Sequence, residues 1–198
     1  MIAGVVLAAG KSERMGRPKM SLPWGDTTVI GQVVSTLISA GLDQVVVVTG
    51  GGRGEVEGAL SSLPRDWPVR TVINPDYAAG EMLSSLQIGI ASLGGKIEAA
   101  LVALGDQPQI EGEVVKSILS AYRQSKANLV IPSYAMRRGH PMLIARPLWA
   151  ALLALRYPQT LRDLIQAYGD QILYVSVDNP SILQDLDTPR DYREFKPR

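Results

Sequence analysis

Residues 2–19 read IAGVVLAAGKSERMGRPK, and the reading of the whole chain turns on them. The opening run, IAGVVL over residues 2–7, is apolar without alternation, which fits a strand covered on both faces of a sheet. Residues 7–19 then change character at once. Ala8, Ala9 and Gly10 are small, so the backbone after Leu7 can approach a bulky ligand. Gly10 also tolerates the positive φ that turns successive N–H groups toward one point. Lys11, Arg14, Arg17 and Lys19 place four cations within nine residues. Amide donors and clustered cations at the carboxyl end of a strand form a phosphate site, and ligands of open α/β sheets bind at that end. The segment fits neither G-x-x-x-x-G-K-[ST] nor G-x-G-x-x-G, which removes the main support for a dinucleotide-dependent oxidoreductase. The competing reading is a solvated basic turn after a buried strand.

Outward from this segment, short apolar runs recur at residues 45–49 (VVVVT), 69–73 (VRTVI), 99–104 (AALVAL), 128–131 (NLVI) and 173–177 (LYVSV). They read as further strands. Helical spacing fills the gaps. Residues 29–40 repeat apolar side chains at Val29, Val33 and Leu37, with a second row at Ile30 and Val34, and Gly41 follows as a C-cap. Residues 84–93 and 113–122 have similar spacing, and residues 147–155 and 161–168 read as two shorter helices. The glycine-rich residues 50–54 (GGGRG) read as a loop after a strand, and residues 195–198 as a frayed tail. The alternation β-α-β-α-β predicts a doubly wound α/β fold with a mostly parallel sheet and right-handed crossovers, in a single domain spanning 1–198.

Composition narrows the chemistry. Hydrophobic residues at 46% and charged residues at 20% suit a globular protein with a substantial core. Twenty Lys and Arg against 19 Asp and Glu leave a net charge of +1, so no global field draws the chain to nucleic acid or to an anionic membrane. The chain has no cysteine, which excludes disulfides, thiolate metal sites and a cysteine nucleophile. One histidine, His140, rules out a multi-histidine metal site within one chain. No apolar run approaches the roughly 20 residues of a membrane span. The charges near the N-terminus follow the apolar stretch, the wrong order for a secretory signal. The expectation is a soluble, cytoplasmic protein.

Two aspartates stand where strands give way to turns. Asp106 lies in LVALGDQP, just past the run at 99–104, where Gly105 bends the chain and Pro108 stops the strand. Asp187 lies in LQDLDTP and is also expected to follow a strand, with Thr188 and Pro189 starting a closing helix that contains Asp191 and Tyr192. Each could instead be a cap: Asp106 of a turn or the next helix, Asp187 of the closing helix. Asp185, two residues before Asp187, ranks below it as a site residue. Asn74, Gly80 and Ser84 lie in the loop NPDYAAGEMLSS, where turn and cap chemistry competes with ligand binding. Thr49 and Gly50 follow the second strand at the same end of the sheet. Arg138, Gly139, His140 and Pro141 form a further loop, and a lone histidine there is as consistent with a buried structural imidazole as with a ligand. Trp24, Trp67 and Tyr77 read as packing residues.

Residues 7–19 fill every fixed position of L-A-[AG]-G-x-S-x-R-M-G-x-x-K, so the segment resembles the signature of the MobA-like nucleotidyltransferases. Residues 19–26 (KMSLPWGD), 48–51 (VTGG), 74–86 (NPDYAAGEMLSSL), 105–108 (GDQP), 139–141 (GHP) and 185–192 (DLDTPRDY) extend the resemblance, in family order, over essentially the whole chain. Ala9, where guanylyltransferase relatives carry glycine, resembles the molybdenum cofactor cytidylyltransferase branch. The resemblance implies a Rossmann-like, three-layer α/β/α fold. Residues 1–110 would mainly hold nucleotide and residues 111–198 mainly acceptor. It further implies transfer of CMP from CTP to a molybdopterin-type cofactor, with release of pyrophosphate and dependence on Mg²⁺. By the same resemblance Asp106 and Asp187 hold the metal, and Lys19, with Arg14, serves the phosphates. Leu7, Ala8, Ala9, Gly10, Lys11, Ser12, Arg14, Lys19, Thr49, Gly50, Asn74, Gly80, Ser84 and Asp106 contact the nucleotide. Arg138, Gly139, His140 and Pro141 face the acceptor. A molybdoenzyme is a possible protein partner. The rival readings are a guanylyltransferase, a transferase acting on another phosphorylated acceptor, and a cofactor carrier for a molybdoenzyme.

Overall fold

The computed structural model describes residues 1–10, 15–16, 18–79 and 82–197. In chain order its strands are β1 (Ile2–Ala8), β2 (Pro23–Trp24), β3 (Thr27–Thr28), β4 (Gln44–Thr49), β5 (Val69–Ile73), β6 (Ala99–Leu104), β7 (Leu129–Tyr134), β8 (Arg137–Arg138), β9 (Met142–Ala145) and β10 (Ile172–Ser176). Its helices are α1 (Val29–Ser39), α2 (Arg53–Leu60), α3 (Met82–Ala91), α4 (Gly112–Ser125), α5 (Trp149–Ala154), α6 (Leu161–Ala167) and α7 (Pro189–Phe195). The main sheet runs β10-β7-β9-β6-β1-β4-β5, and β2 and β3 form a small hairpin beside it. β1 is parallel to β4 and β6, β4 to β5, and β10 to β7, while β9 runs against both β6 and β7. The mostly parallel, doubly wound sheet expected from the apolar runs is therefore present, with one reversed strand inside it.

Every residue of β1 is buried, and alternate residues feed two different cores. Ile2, Val6 and Ala8 pack with residues of α1, α2 and α4, whereas Ala3, Val5 and Leu7 pack with residues of α3, α5 and α6. Helices thus cover both faces, the three-layer arrangement that an unalternating strand requires. A third, smaller core joins Trp24 and Val29 near the hairpin to Leu186, Tyr192 and Met15. Among the described residues no helix is long and apolar enough to cross a membrane.

Three local expectations are corrected, and one strand was not expected. Residues 50–54 are not only a loop: α2 begins at Arg53, and with only Val56 and Ala59 buried it carries little apolar stripe to announce a helix. Residues 142–145 (MLIA) form β9, too short for periodicity to reveal. Residues 147–155 divide into a 3-10 turn, Arg146–Leu148, and α5. Asp187 does not follow a strand, because β10 ends at Ser176 and a 3-10 turn, Pro180–Leu183, intervenes.

Candidate active site

Strand register brings the expected loops side by side. Leu7 of β1 pairs with Leu104 of β6, so residues 8–10 and the Gly105–Asp106 bend leave the sheet together, tied by Gly105 N donating to Leu7 O at 3.0 Å. On the other side Ala8 pairs with Thr49, and Thr49 with Ile73, which sets Gly50 and Asn74 along the same edge. The chain order reverses at β1, with β4 on one side and β6 on the other, and crevices at such switch points are where open α/β sheets bind ligands.

Gly50 needs to lack a side chain here. A Cβ on it would stand 2.6 Å from Ala9 O and 2.7 Å from Tyr77 Cβ, and one on Gly51 would meet the Tyr77 ring at 2.7 Å. Tyr77 therefore covers both glycines and closes that end of the row. Thr49 and Asn74 are fully buried. Thr49 Oγ1 donates to Val72 O at 3.2 Å. Asn74 Nδ2 donates to Ser84 Oγ at 3.0 Å and Ser85 Oγ at 2.9 Å, while its Oδ1 accepts from Asp76 N at 2.9 Å. These bonds clamp the loop before α3 and carry the turn-and-cap reading of Asn74 in full. Lys11, Ser12, Arg14 and Gly80, all expected to contact nucleotide or phosphate, lie outside the described residues, as does Arg17.

Lys19 joins the two aspartates. It opens a 3-10 turn, Lys19–Ser21, and is buried, as is Met20. Its Nζ donates to Asp106 Oδ2 at 2.5 Å and to Leu186 O at 3.3 Å, and lies 3.7 Å from Asp187 Oδ1. Neither aspartate is a cap. The N-cap of α4 is Glu111. The N-cap of α7 is Thr188, whose hydroxyl pairs with Asp191 in a capping box, and Asp191 Oδ2 also accepts from Asp187 N at 3.2 Å. Asp191 does the capping, and the Asp187 carboxylate points to Lys19 instead.

Among the described residues, three oxygens, two of them carboxylate, thus lie around one cationic nitrogen. That hard, anionic donor set suits a Mg²⁺- or Mn²⁺-class ion, which commonly takes one or two carboxylates and completes its shell with water and phosphate. The side chains of Asp106 and Asp187 are 18% and 33% exposed, so the pair is open to a ligand. Among the described residues there is no group of three acidic or histidine side chains that could cage an ion unaided. The donor set fits an ion that shares its shell with a substrate. Asp185 stands near but keeps much of its surface in solvent. Partial burial of its carboxylate, then the like charges of Asp106 and Asp187, raise its pKa against the opposing effects of Gln107 and Lys19.

His140 approaches from the other side. Its backbone N donates to Ile182 O at 3.1 Å, and a Cβ on Gly139 would collide with the same carbonyl. The residue retains some exposure, yet Nε2 is buried and has no hydrogen-bond partner among the described residues. Burial lowers its pKa to about 4, opposed by the charge of Asp106, so the imidazole is neutral at neutral pH. Pro141 is buried and lines a small cavity with Gln107. Arg138 is exposed on β8, its guanidinium carbon 5.3 Å from the centre of the Tyr174 ring on the edge strand β10. Gln107, Gln109, Met20 and Leu186 were not foreseen as site residues. The signal for the glutamines was the polar pair flanking Pro108 in GDQPQI.

The sequence pattern of the MobA-like NTP transferase domain matches residues 4–172. Molybdenum cofactor cytidylyltransferase of Escherichia coli (strain K12) is 27% identical over 196 residues, covering 98% of this chain and 95% of that one. Nicotine blue oxidoreductase of Paenarthrobacter nicotinovorans is 36% identical over 149 residues, 72% of this chain and 70% of that one. The crystal structure of Rv0371c from Mycobacterium tuberculosis H37Rv superposes with a TM-score of 0.82 at 31% identity, over 98% of this chain and 96% of that one. A second structure of Rv0371c is a complex with manganese, with a TM-score of 0.77 at 29% identity over 98% and 97% of the two chains.

Proposed function

The chain belongs to the MobA-like NTP transferase domain family and is a nucleotidyltransferase, and on that premise we propose that it transfers CMP from CTP to the terminal phosphate of a molybdopterin-type cofactor. The observation that carries the reading is the cation position, held by Lys19 Nζ, that Asp106 and Asp187 share beside the ends of β1 and β6. The likeness to the E. coli cytidylyltransferase, which spans nearly both chains, supports CTP and the cofactor as substrates.

In this reading an oxygen of the acceptor's terminal phosphate attacks the α-phosphorus of CTP. The bond between the α-phosphorus and the bridging oxygen breaks, and that oxygen leaves with pyrophosphate. The acceptor phosphate is already ionised near neutral pH, so no strong general base is needed. Asp106 and Asp187 would hold the divalent ion, which supplies neutralisation of triphosphate charge. Lys19 turns its ammonium to the α-phosphate and offsets the charge that develops as the bond breaks. The loop of residues 7–14, with Arg14, cradles the departing phosphates through its amides and cations. Gly50 and Tyr77 border the nucleotide, and neutral His140 lies at the acceptor end. Residues 1–110 then serve mainly the nucleotide, and residues 111–198 mainly the acceptor. Catalysis is positioning and electrostatic stabilisation.

The test is pyrophosphate release with Mg²⁺, the cofactor and each of CTP, GTP, ATP and UTP in turn. Release with CTP well above the others is expected. A preference for GTP would replace the cytidylyl reading with a guanylyl one. Cofactor binding without release from any nucleotide would favour a carrier.

A further inference from the structure

We propose that Gln107 and Gln109 are positioning residues that lash the segment bearing Asp187 to the turn bearing Asp106, and so set the separation of the two carboxylates. The inference rests on the reading of those aspartates as the holders of a divalent ion. Three hydrogen bonds cross the gap. Gln107 Nε2 donates to Asp185 Oδ1 at 2.7 Å. Gln109 Nε2 donates to the carbonyl of Gln184. Leu186 N donates to Asp106 O at 3.0 Å. All three run between the bend after β6 and residues 184–186, immediately before Asp187.

Chemistry fixes the orientation of both amides. A carboxylate oxygen and a peptide carbonyl only accept, so each glutamine must present its nitrogen to the segment. Each Oε1 is then turned inward, and both are buried without a donor among the described residues. A buried acceptor left unpaired is destabilising, and an apolar side chain at either place would avoid it. The two amides are therefore poor choices for packing and good ones for a bridge. Gln107 is 3% exposed, so its own position is fixed by the core around it.

The segment needs such a bridge. Asp187 comes after a 3-10 turn and a stretch without strand partners, so no ladder holds it. Leu186 anchors the backbone by burying its side chain and bonding Asp106 O, and Asp187 N bonds Asp191, but these anchors at residues 186 and 187 leave residues 184 and 185 able to swivel. Bonds at residues 184 and 185 remove that freedom. Groups that orient the ligands of a metal commonly change its affinity by tens of fold when they are lost.

The experiment measures Mn²⁺ binding to the whole chain without nucleotide, by the electron paramagnetic resonance signal of the unbound ion. Gln107→Met and Gln109→Met keep side-chain volume and remove the donor. Each should weaken Mn²⁺ binding about tenfold or more, while the KM for CTP at saturating metal stays within about twofold, as expected for lost ligand orientation. Asp185→Asn retains an oxygen for Gln107 Nε2 and should change Mn²⁺ affinity far less than Gln107→Met. Wild-type Mn²⁺ affinity in both glutamine variants would overturn the proposal. So would an Asp185→Asn variant as weak as Gln107→Met, because the charge of Asp185 would then be what matters. If Gln107→Met does not fold, Gln109→Met decides. Wild-type protein that binds Mn²⁺ yet releases no pyrophosphate would overturn the transferase reading alone. Wild-type protein that binds no Mn²⁺ even when a CTP analogue that cannot release pyrophosphate is present would overturn both.

Discussion

Asp106 and Asp187 reach one ammonium by unlike routes. Asp106 leaves a central strand that is paired with β1 up to Leu104 and with β9 up to Val102, so the sheet itself aims it. Asp187 leaves a stretch outside the sheet, aimed by one buried leucine, the borrowed bonds of residues 184–186 and the capping box of α7. The first position is inherited from the fold and the second is assembled from side chains. A site built this way keeps one wall fixed by the architecture and adjusts the other through a handful of polar residues.

The comparison breaks most sharply at Asp106. Asp106→Ala should lower pyrophosphate release by on the order of a thousandfold, and it should also cost stability, because the buried Lys19 ammonium loses its nearest partner. Steady-state kinetics beside thermal unfolding checks both halves, and near-normal turnover would remove Asp106 from the chemistry. Lys19→Met tests what joins the two routes. Its kcat should fall roughly a hundredfold, yet Mn²⁺ should bind more tightly in the absence of nucleotide, because the ammonium and the ion compete for the same carboxylates. Weaker Mn²⁺ binding in that variant would mean that the lysine organises the site rather than occupying it.

A third prediction concerns the imidazole beside Asp106. Folding holds His140 at about 4 against an ordinary 6.5, so the folded chain binds fewer protons between those values. The stability contributed by its neutral form is complete above pH 6.5 and declines as pH falls to 4, by roughly 3 kcal/mol in all. Asp185, with its raised pKa, acts in the opposite direction. Comparing wild type with His140→Gln by urea unfolding at pH 7 and pH 4.5 isolates the histidine; equal acid losses in the two would refute the burial argument. The smallest effect belongs to the assembled side. Thr188→Ala removes the N-cap hydroxyl of α7 and should cost about 1 kcal/mol, with Mn²⁺ affinity falling slightly because Asp191 also holds the backbone of Asp187. An unchanged midpoint of unfolding would show that the cap is not needed to hold the segment.

The difference between the two walls also explains what could be read in advance. Strands such as 99–104 advertise themselves by continuous apolar sequence, and with register they place residues 8–10, Thr49, Asn74 and Asp106 in one row. The route of Asp187 has no such periodicity. The expected strand is β10, which ends at Ser176, well short of it, and its anchors are single residues, Leu186 and the two glutamines, whose partners lie 75 to 78 positions away. The helix at Arg53–Leu60 was hidden for a related reason: a mostly exposed helix needs few apolar residues. Asn74 shows the limit from the other side. An asparagine that ties two serines looks, in sequence, the same as one free to offer its amide to a ligand, so the bonds of Asn74 could not be read in advance.

Trp24 shares the third core with Leu186, and its ring centre lies 6.3 Å from that of Tyr192. The indole therefore sits in the same small core as the stretch whose placement is assembled rather than inherited. With Trp67 and Trp149 replaced by phenylalanine, fluorescence from position 24 would be an intrinsic gauge of that stretch settling or loosening, readable in real time without a label.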